Sequence, residues 1–116
     1  MSNSNQGSYV LSKHTGLSQA YHWVLVASNN EVILTSENYA TKEGAKNGVD
    51  SCRGNSQIDA RYEKKTSLSN QPYFVLKASN GQTIGTSEMY SSTTARDNGV
   101  ASVKRFGKDA VLVDRA

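Results

Sequence analysis

The stretch FVLKASNGQTIGTSEMY, Phe74 to Tyr90, repeats with few changes the earlier stretch WVLVASNNEVILTSENY, Trp23 to Tyr39. Carried forward at a constant offset of 51 residues, the match gives 14 identities over the 29 positions from Trp23 to Ser51. Agreement of that extent makes the chain two copies of one unit, and the unit has to be settled before its elements are assigned.

Within each copy the residue pattern changes period. Tyr21 to Ser28 and Glu31 to Ser36 read as strands, and so do their counterparts from Phe74 onward and from Gln82 to Ser87. Asn29-Asn30 and Asn80-Gly81 stand between these runs, and Asn-Gly is the favoured two-residue hairpin turn because both of its positions need positive φ. A short strand, Tyr9 to His14, comes first, with Thr15 to Ala20 as its turn. Thr41 and Ser92 are placed to cap helices. Ala95, Gly99, Val100, Val103 and Phe106 then recur at helical spacing, with Gly44, Gly48, Val49 and Cys52 in the first copy. Val111 to Val113 reads as a closing strand, so each unit is β-β-β-α-β. Gly48 and Gly99 fall inside the helices, where glycine costs about 1 kcal/mol relative to alanine. A close approach of helix to sheet is the expected compensation.

The first unit spans residues 8–60 and the second 61–114, with residues 1–7 expected as a disordered tail. Arg61 to Thr66 is claimed twice, as the last strand of one unit and the first strand of the next. No Gly-, Ser- or Pro-rich linker separates the units. They are therefore expected to share one sheet within a single domain, a monomer that is internally a pseudo-dimer. The fold class is α+β: one antiparallel sheet, two helices on one face, and a pseudo-two-fold relating the repeats.

The Ala78–Gly81 turn, the run Thr86-Ser87-Glu88-Met89-Tyr90-Ser91-Ser92 and the helical run Asn98-Gly99-Val100-Ala101-Ser102-Val103-Lys104 together resemble the YegP-like family of small uncharacterised bacterial proteins. The resemblance spans about residues 8 to 114 and is cleaner in the second copy. It implies two β-β-β-α-β units that form a single antiparallel sheet and exchange their C-terminal strands. It implies no activity. The first copy departs from the pattern at Asn30, Leu34 and Cys52, which weighs against a function built on two equivalent sites.

Composition excludes more than it identifies. A chain of 116 residues, 36 % apolar and 20 % charged, is that of one soluble domain that removes roughly 65 % of its unfolded surface from water. The longest apolar run, Trp23 to Ala27, falls far short of the roughly 20 residues that span a bilayer. The N-terminal MSNSNQGS lacks the basic and apolar regions of a secretory signal, so a cytoplasmic location without membrane association is expected. The net charge of +3 permits an acidic partner without demanding one. A single cysteine, Cys52, excludes an internal disulfide and any multi-cysteine metal site. Asn80-Gly81 and Asn98-Gly99 belong to neither a Walker pattern nor a dinucleotide fingerprint, and no cofactor is expected.

Each candidate for chemistry can be set against its match in the other copy. Cys52 is matched by Val103, which marks a small apolar packing position rather than a nucleophile. His14 and His22 have no metal-ligand spacing to any Cys, Asp or Glu and are expected on the surface. The best polar constellation is Ser36, Glu37 and Tyr39, repeated as Ser87, Glu88 and Tyr90 at both strand-to-helix junctions. A carboxylate beside hydroxyls can position a substrate or move protons. The plainer reading has Glu37 and Glu88 complement helix N-termini while the tyrosines cover the core. Lys104, Arg105 and Lys108 likewise suit the C-terminal end of a helix.

A two-residue turn at Asn80-Gly81 would put Phe74, Leu76 and Ala78 toward the helices and leave Val75, Lys77 and Ile84 on the other face, with Val24, Val26 and Ile33 beside them. Such an apolar face reads as an interaction surface. The favoured function is thus a noncatalytic binding domain for a protein or apolar ligand. A nucleic-acid binder is the alternative, and a small enzyme using the Ser-Glu-x-Tyr junction ranks third.

Overall fold

The computed structural model describes residues 6–116 apart from 17 and 19. Residues 1–5 of the expected tail, and two positions of the turn expected at Thr15–Ala20, lie outside the described residues. Gly7, counted with the tail, is instead buried, and its carbonyl accepts a hydrogen bond from Val111 N–H. The elements follow in the order β1 (Ser8–Lys13), β2 (Tyr21–Val26), β3 (Val32–Ser36), α1 (Lys42–Asn55), a 3-10 turn (Asp59–Arg61), β4 (Tyr62–Thr66), β5 (Pro72–Lys77), β6 (Thr83–Thr86), α2 (Thr93–Gly107) and β7 (Val111–Asp114).

All seven strands form one sheet in the order β4-β5-β6-β3-β2-β1-β7. At its centre Thr35 pairs with Thr86, its own counterpart, so the pseudo-two-fold passes through that pair. The expected antiparallel sheet is in fact mixed, because β7 runs parallel to β1. The cause is the path of the chain: α2 carries it back across the sheet, and a strand entering beside β1 from that end can only lie parallel to it. Near the pseudo-axis two equal side chains would collide. Leu34 therefore faces Gly85, where a Cβ would lie 2.8 Å from Leu34 Cγ. The first copy's departure at Leu34 is thus a packing solution for the joint.

The turn chemistry differs from the two-residue hairpin expected. Of the four turn residues, Asn30 (φ 70°) and Gly81 (φ 86°) alone take positive φ. Asn30 N–H donates to Ala27 O and Ala27 N–H to Glu31 O, and Gly81 and Ala78 repeat both bonds. This is a type I turn followed by a left-handed residue. The register then shifts: Leu25 pairs with Leu34 but Val26 with Val32, and Leu76 with Gly85 but Lys77 with Thr83. Ile33 and Ile84 are left as bulged residues, two against one. Consequently Ile33 (6 % exposed) and Ile84 (5 %) join the core instead of the outer face expected of them.

Each helix begins where its cap predicts. Thr41 Oγ1 accepts from Gly44 N–H at 2.9 Å and Ser92 Oγ from Ala95 N–H at 3.0 Å. Val49 and Cys52 of α1 and Val100 and Val103 of α2 share one cluster with Tyr9, Trp23, Leu25, Phe74 and Leu76, so both helices cover the same face. The close approach at the helix glycines is real, but its partner is a tyrosine rather than the sheet. A Cβ on Gly48 would lie 2.6 Å from Tyr39 Cζ, and one on Gly99 2.6 Å from Tyr90 Cζ.

The helices end against each other, with Ser56 of one beside Gly107 of the other. Two negative dipole ends meet there and need donors. Arg53 Nη1 donates to Lys108 O, Gln57 Nε2 to Lys104 O, Tyr9 Oη to Gly107 O and Tyr62 Oη to Ser56 O. Burial holds both tyrosines far above the usual phenol range.

Candidate functional site

The strand-to-helix junctions are built alike and only partly available for chemistry. Ser36 Oγ accepts from Trp23 N–H at 2.9 Å and donates to Glu37 O at 2.7 Å. Ser87 Oγ does the same with Phe74 N–H and Glu88 O, at 2.9 and 2.8 Å. Both hydroxyls thus join the end of one strand to its neighbour. Glu37 and Glu88 are exposed, and the tyrosines are half-buried against the helix glycines. Burial, and next the carboxylate of Glu37, raises Tyr39 above its ordinary value; Tyr90 is raised by burial, then by Glu88 and Glu31. Trp23 sets its indole nitrogen over Gly48 beside Tyr39, short of hydrogen-bond geometry, where the second copy has Phe74 and no donor.

Two clefts open beside these junctions. The first, of about 570 Å³, is lined by Glu37, Tyr39, Asn47, Gly48 and Ser51 from one repeat and by Gln82, Thr83 and Ile84 from the other. The second, of about 430 Å³, is lined by Glu88, Tyr90, Asn98, Gly99 and Ser102 with Glu31, Val32 and Ile33. Each of these residues is the counterpart of one in the other cleft at the offset of 51. Every cleft is therefore shared between a helix of one copy and a hairpin of the other. Asn30, Leu34 and Cys52, the three departures of the first copy, line neither. The bulges explain the composition, since they turn Ile33 and Ile84 toward the helices and into the cleft walls.

Of the residues proposed from sequence, Glu37, Tyr39, Glu88, Tyr90, Ile33 and Ile84 thus come together in the clefts. Val24, Val26, Val75 and Lys77 do not. Val75, Thr86, Thr35, Val24, Val10 and Val113 follow one another in register across the sheet on the face away from the helices, while Lys77 is bonded to Glu63 at 2.6 Å. Helical spacing draws attention to apolar residues and so does not single out Asn47, Asn98, Ser51 and Ser102. Their signal was identity between the copies at positions that face out of the core.

The sequence profile of a domain of unknown function, DUF1508, matches residues 18–63 and 68–114, once in each repeat. The chain belongs to the DUF1508 family. It is 53 % identical over 108 residues to a UPF0339 protein of Shewanella oneidensis, covering 93 % of this chain and 96 % of the relative. To the UPF0339 protein YegP of Escherichia coli it is 47 % identical over 94 residues, or 81 % and 86 % of the two chains. Solution NMR structures share the fold: a UPF0339 protein of Shewanella oneidensis at TM-score 0.86 and 52 % identity, covering 94 % of this chain and 91 % of that one, and the yegP protein of Escherichia coli at 0.87 and 44 %, covering 95 % and 93 %. The latter is described as a protein of unknown function, as is the family itself.

The remaining candidate groups each meet a neighbour or are buried. His14 Nε2 and His22 Nδ1 lie 2.9 Å apart with stacked rings, a pairing that sequence spacing did not show. Burial, and then His14, lowers the pKa of His22. Among the described residues no three His, Cys, Asp or Glu groups gather to hold a metal ion, and no helix is long and apolar enough to cross a membrane. Lys104 is bonded to Asp59 and lies over the Tyr62 ring. Cys52 is buried, and burial pushes its thiol up to about 11. Thiol reagents are expected to leave the folded protein unlabelled near neutral pH and to label it promptly in denaturant; fast native labelling would contradict the burial. The folded value exceeds the unfolded one, so this stabilising contribution is present below about pH 9 and is lost as pH rises toward 11. Cys52→Val should cost about 1 kcal/mol or less.

Proposed function

We propose that the protein is a noncatalytic binding module whose ligand is held in the twin clefts. One observation carries the reading. Exposed helix positions have drifted between the copies, Glu43 against Thr94, Lys46 against Asp97 and Asp50 against Ala101. Asn47 and Asn98, and Ser51 and Ser102, have stayed identical although none belongs to the core. Core packing does not demand them, whereas a ligand that hydrogen-bonds an amide and a hydroxyl would.

The lining favours a ligand with hydrogen-bond donors and an apolar side: a carboxylate and amide stand over an isoleucine wall. The second cleft, with Glu31 beside Glu88, favours a cation more than the first, which has Gln82 at that place. Catalysis is disfavoured because both seryl hydroxyls are engaged, both tyrosines are raised rather than lowered, and the thiol is buried. The test is a fragment screen of amines and neutral amides followed by amide chemical shifts. Binders should perturb Tyr39, Asn47, Gly48 and Ile84 or their counterparts. Asn47→Leu and Asn98→Leu should each abolish binding at one cleft with an unchanged melting temperature. Shifts confined to the face bearing Val24, Val26, Val75 and Lys77 would overturn the proposal.

A further inference from the structure

The sheet holds an internal template for a partner. Along β1 and the residue before it, Gly7 O and Leu11 O accept from Val111 N–H and Arg115 N–H, so the alternate residues Gly7, Tyr9 and Leu11 turn their backbone groups toward β7. Tyr9 pairs with Leu25 on its inner side, and Tyr62 pairs in the same way with Leu76, the counterpart of Leu25. Tyr62 is therefore the counterpart of Tyr9, and both hydroxyls bond the end of a helix. Tyr62 O, Lys64 N–H and Lys64 O then face outward as the same groups of Tyr9 and Leu11 do, while Tyr62 N–H, the counterpart of Tyr9 N–H, is already donated to Asp59 O in the 3-10 turn. Yet β4 is the last strand on its side of the sheet. The segment that would fill the place, the counterpart of β7 leaving α1, runs straight into β4 itself. Among the described residues one half of the pseudo-symmetric sheet has an outer parallel strand and the other does not.

We propose that the outer edge of β4 is a docking site for an extended segment of another protein, bound parallel to β4 in the register that β7 takes on β1. The edge is cationic on balance, with Arg61, Lys64 and Lys65 against Glu63, where Lys64 is paired with Asp97 at 3.0 Å and Glu63 with Lys77 at 2.6 Å. Lysine on an open edge discourages pairing with a like edge. A second copy, β4 against β4, would bring the two cationic edges together, so the fitting occupant is apolar in its first half and acidic in its second. That is the pattern of β7, where Val111, Leu112 and Val113 lead to Asp114. In the transferred register an acidic residue at that fourth place lies beside Lys64, which it would share with Asp97. Main-chain hydrogen bonds would supply the affinity and the side chains the selectivity.

The probe is the chain's own strand as a synthetic peptide, residues 109–116, titrated at up to millimolar concentration into the labelled full-length protein. Amide shifts are expected along Arg61–Thr66, with slowed hydrogen exchange at Lys64. N-methylation of the peptide at Val113, whose N–H faces the slot, should abolish these shifts. N-methylation at Leu112, which faces away, should leave them. Replacing the peptide's Arg115 with Glu, beside Lys65, should tighten binding about two- to fivefold in low salt. Shifts on β1 and β7 instead of β4, no shifts at all, or equal damage from both N-methyl groups would overturn the proposal. So would a free protein that is already a dimer with Lys64 protected.

Discussion

Cut after Ala60, neither half of the chain is expected to fold as a monomer. The first half would keep β1, β2, β3 and α1 and expose β3, a central strand that now pairs with β6. The second would keep β7 without β1, the strand it pairs with. Trp23 and Leu25 lie in the same cluster as Phe74 and Leu76, so each half would also expose its share of a common core. A three-stranded remnant with a bare central edge is a poor candidate for independent stability. Each half alone should show collapsed amide dispersion or self-association, and mixing the two should restore dispersion at one-to-one stoichiometry. A stable monomeric half with dispersed resonances would show that the repeats are separate domains.

Gly99→Leu is expected to destabilise by roughly 2 kcal/mol or more, although leucine is the better helix former. Helix propensity favours the change by less than about 1 kcal/mol. Against it, the new Cβ alone would lie 2.6 Å from Tyr90 Cζ, and the rest of the side chain would have to displace the ring that stacks on Phe74 at 6.4 Å. Overpacking of that kind costs about 1 to 3 kcal/mol. Denaturant melts should show the loss, and the double variant Gly99→Leu/Tyr90→Ala should be less damaged than the sum of its parts, because the clash disappears with the ring. A neutral or raised melting temperature for the single variant would sink the tyrosine-on-glycine contact. Gly48→Leu should behave alike, with Trp23 adding to the obstruction.

That glycine pair shows where sequence reading stops. Two glycines at matching places inside matching helices announced that something lies close; only packing shows that it is Tyr39 and Tyr90, reaching back from the junction that precedes each helix. The candidate site divides in the same way. Glu37, Tyr39, Glu88 and Tyr90 stood out because they repeat at a junction. Their partners Ile84 and Ile33 sit on the other copy's hairpin, and one left-handed residue with one bulge in each hairpin decided that they turn inward. A period of two along a strand cannot register an inserted residue.

The repeat, the alternation of the strands, the helix caps and the absence of a linker follow from the sequence by itself, because each is a local property carried at a constant offset. The mixed sheet, the clefts shared between copies and the place of β4 at the end of the sheet were decided by tertiary structure alone. Which strand lies beside which depends on how two copies meet across an axis and on where the chain has length to return. A pattern that is the same in both copies is blind to that choice, since the pairing of one copy with the other breaks the equality that the repeat displays.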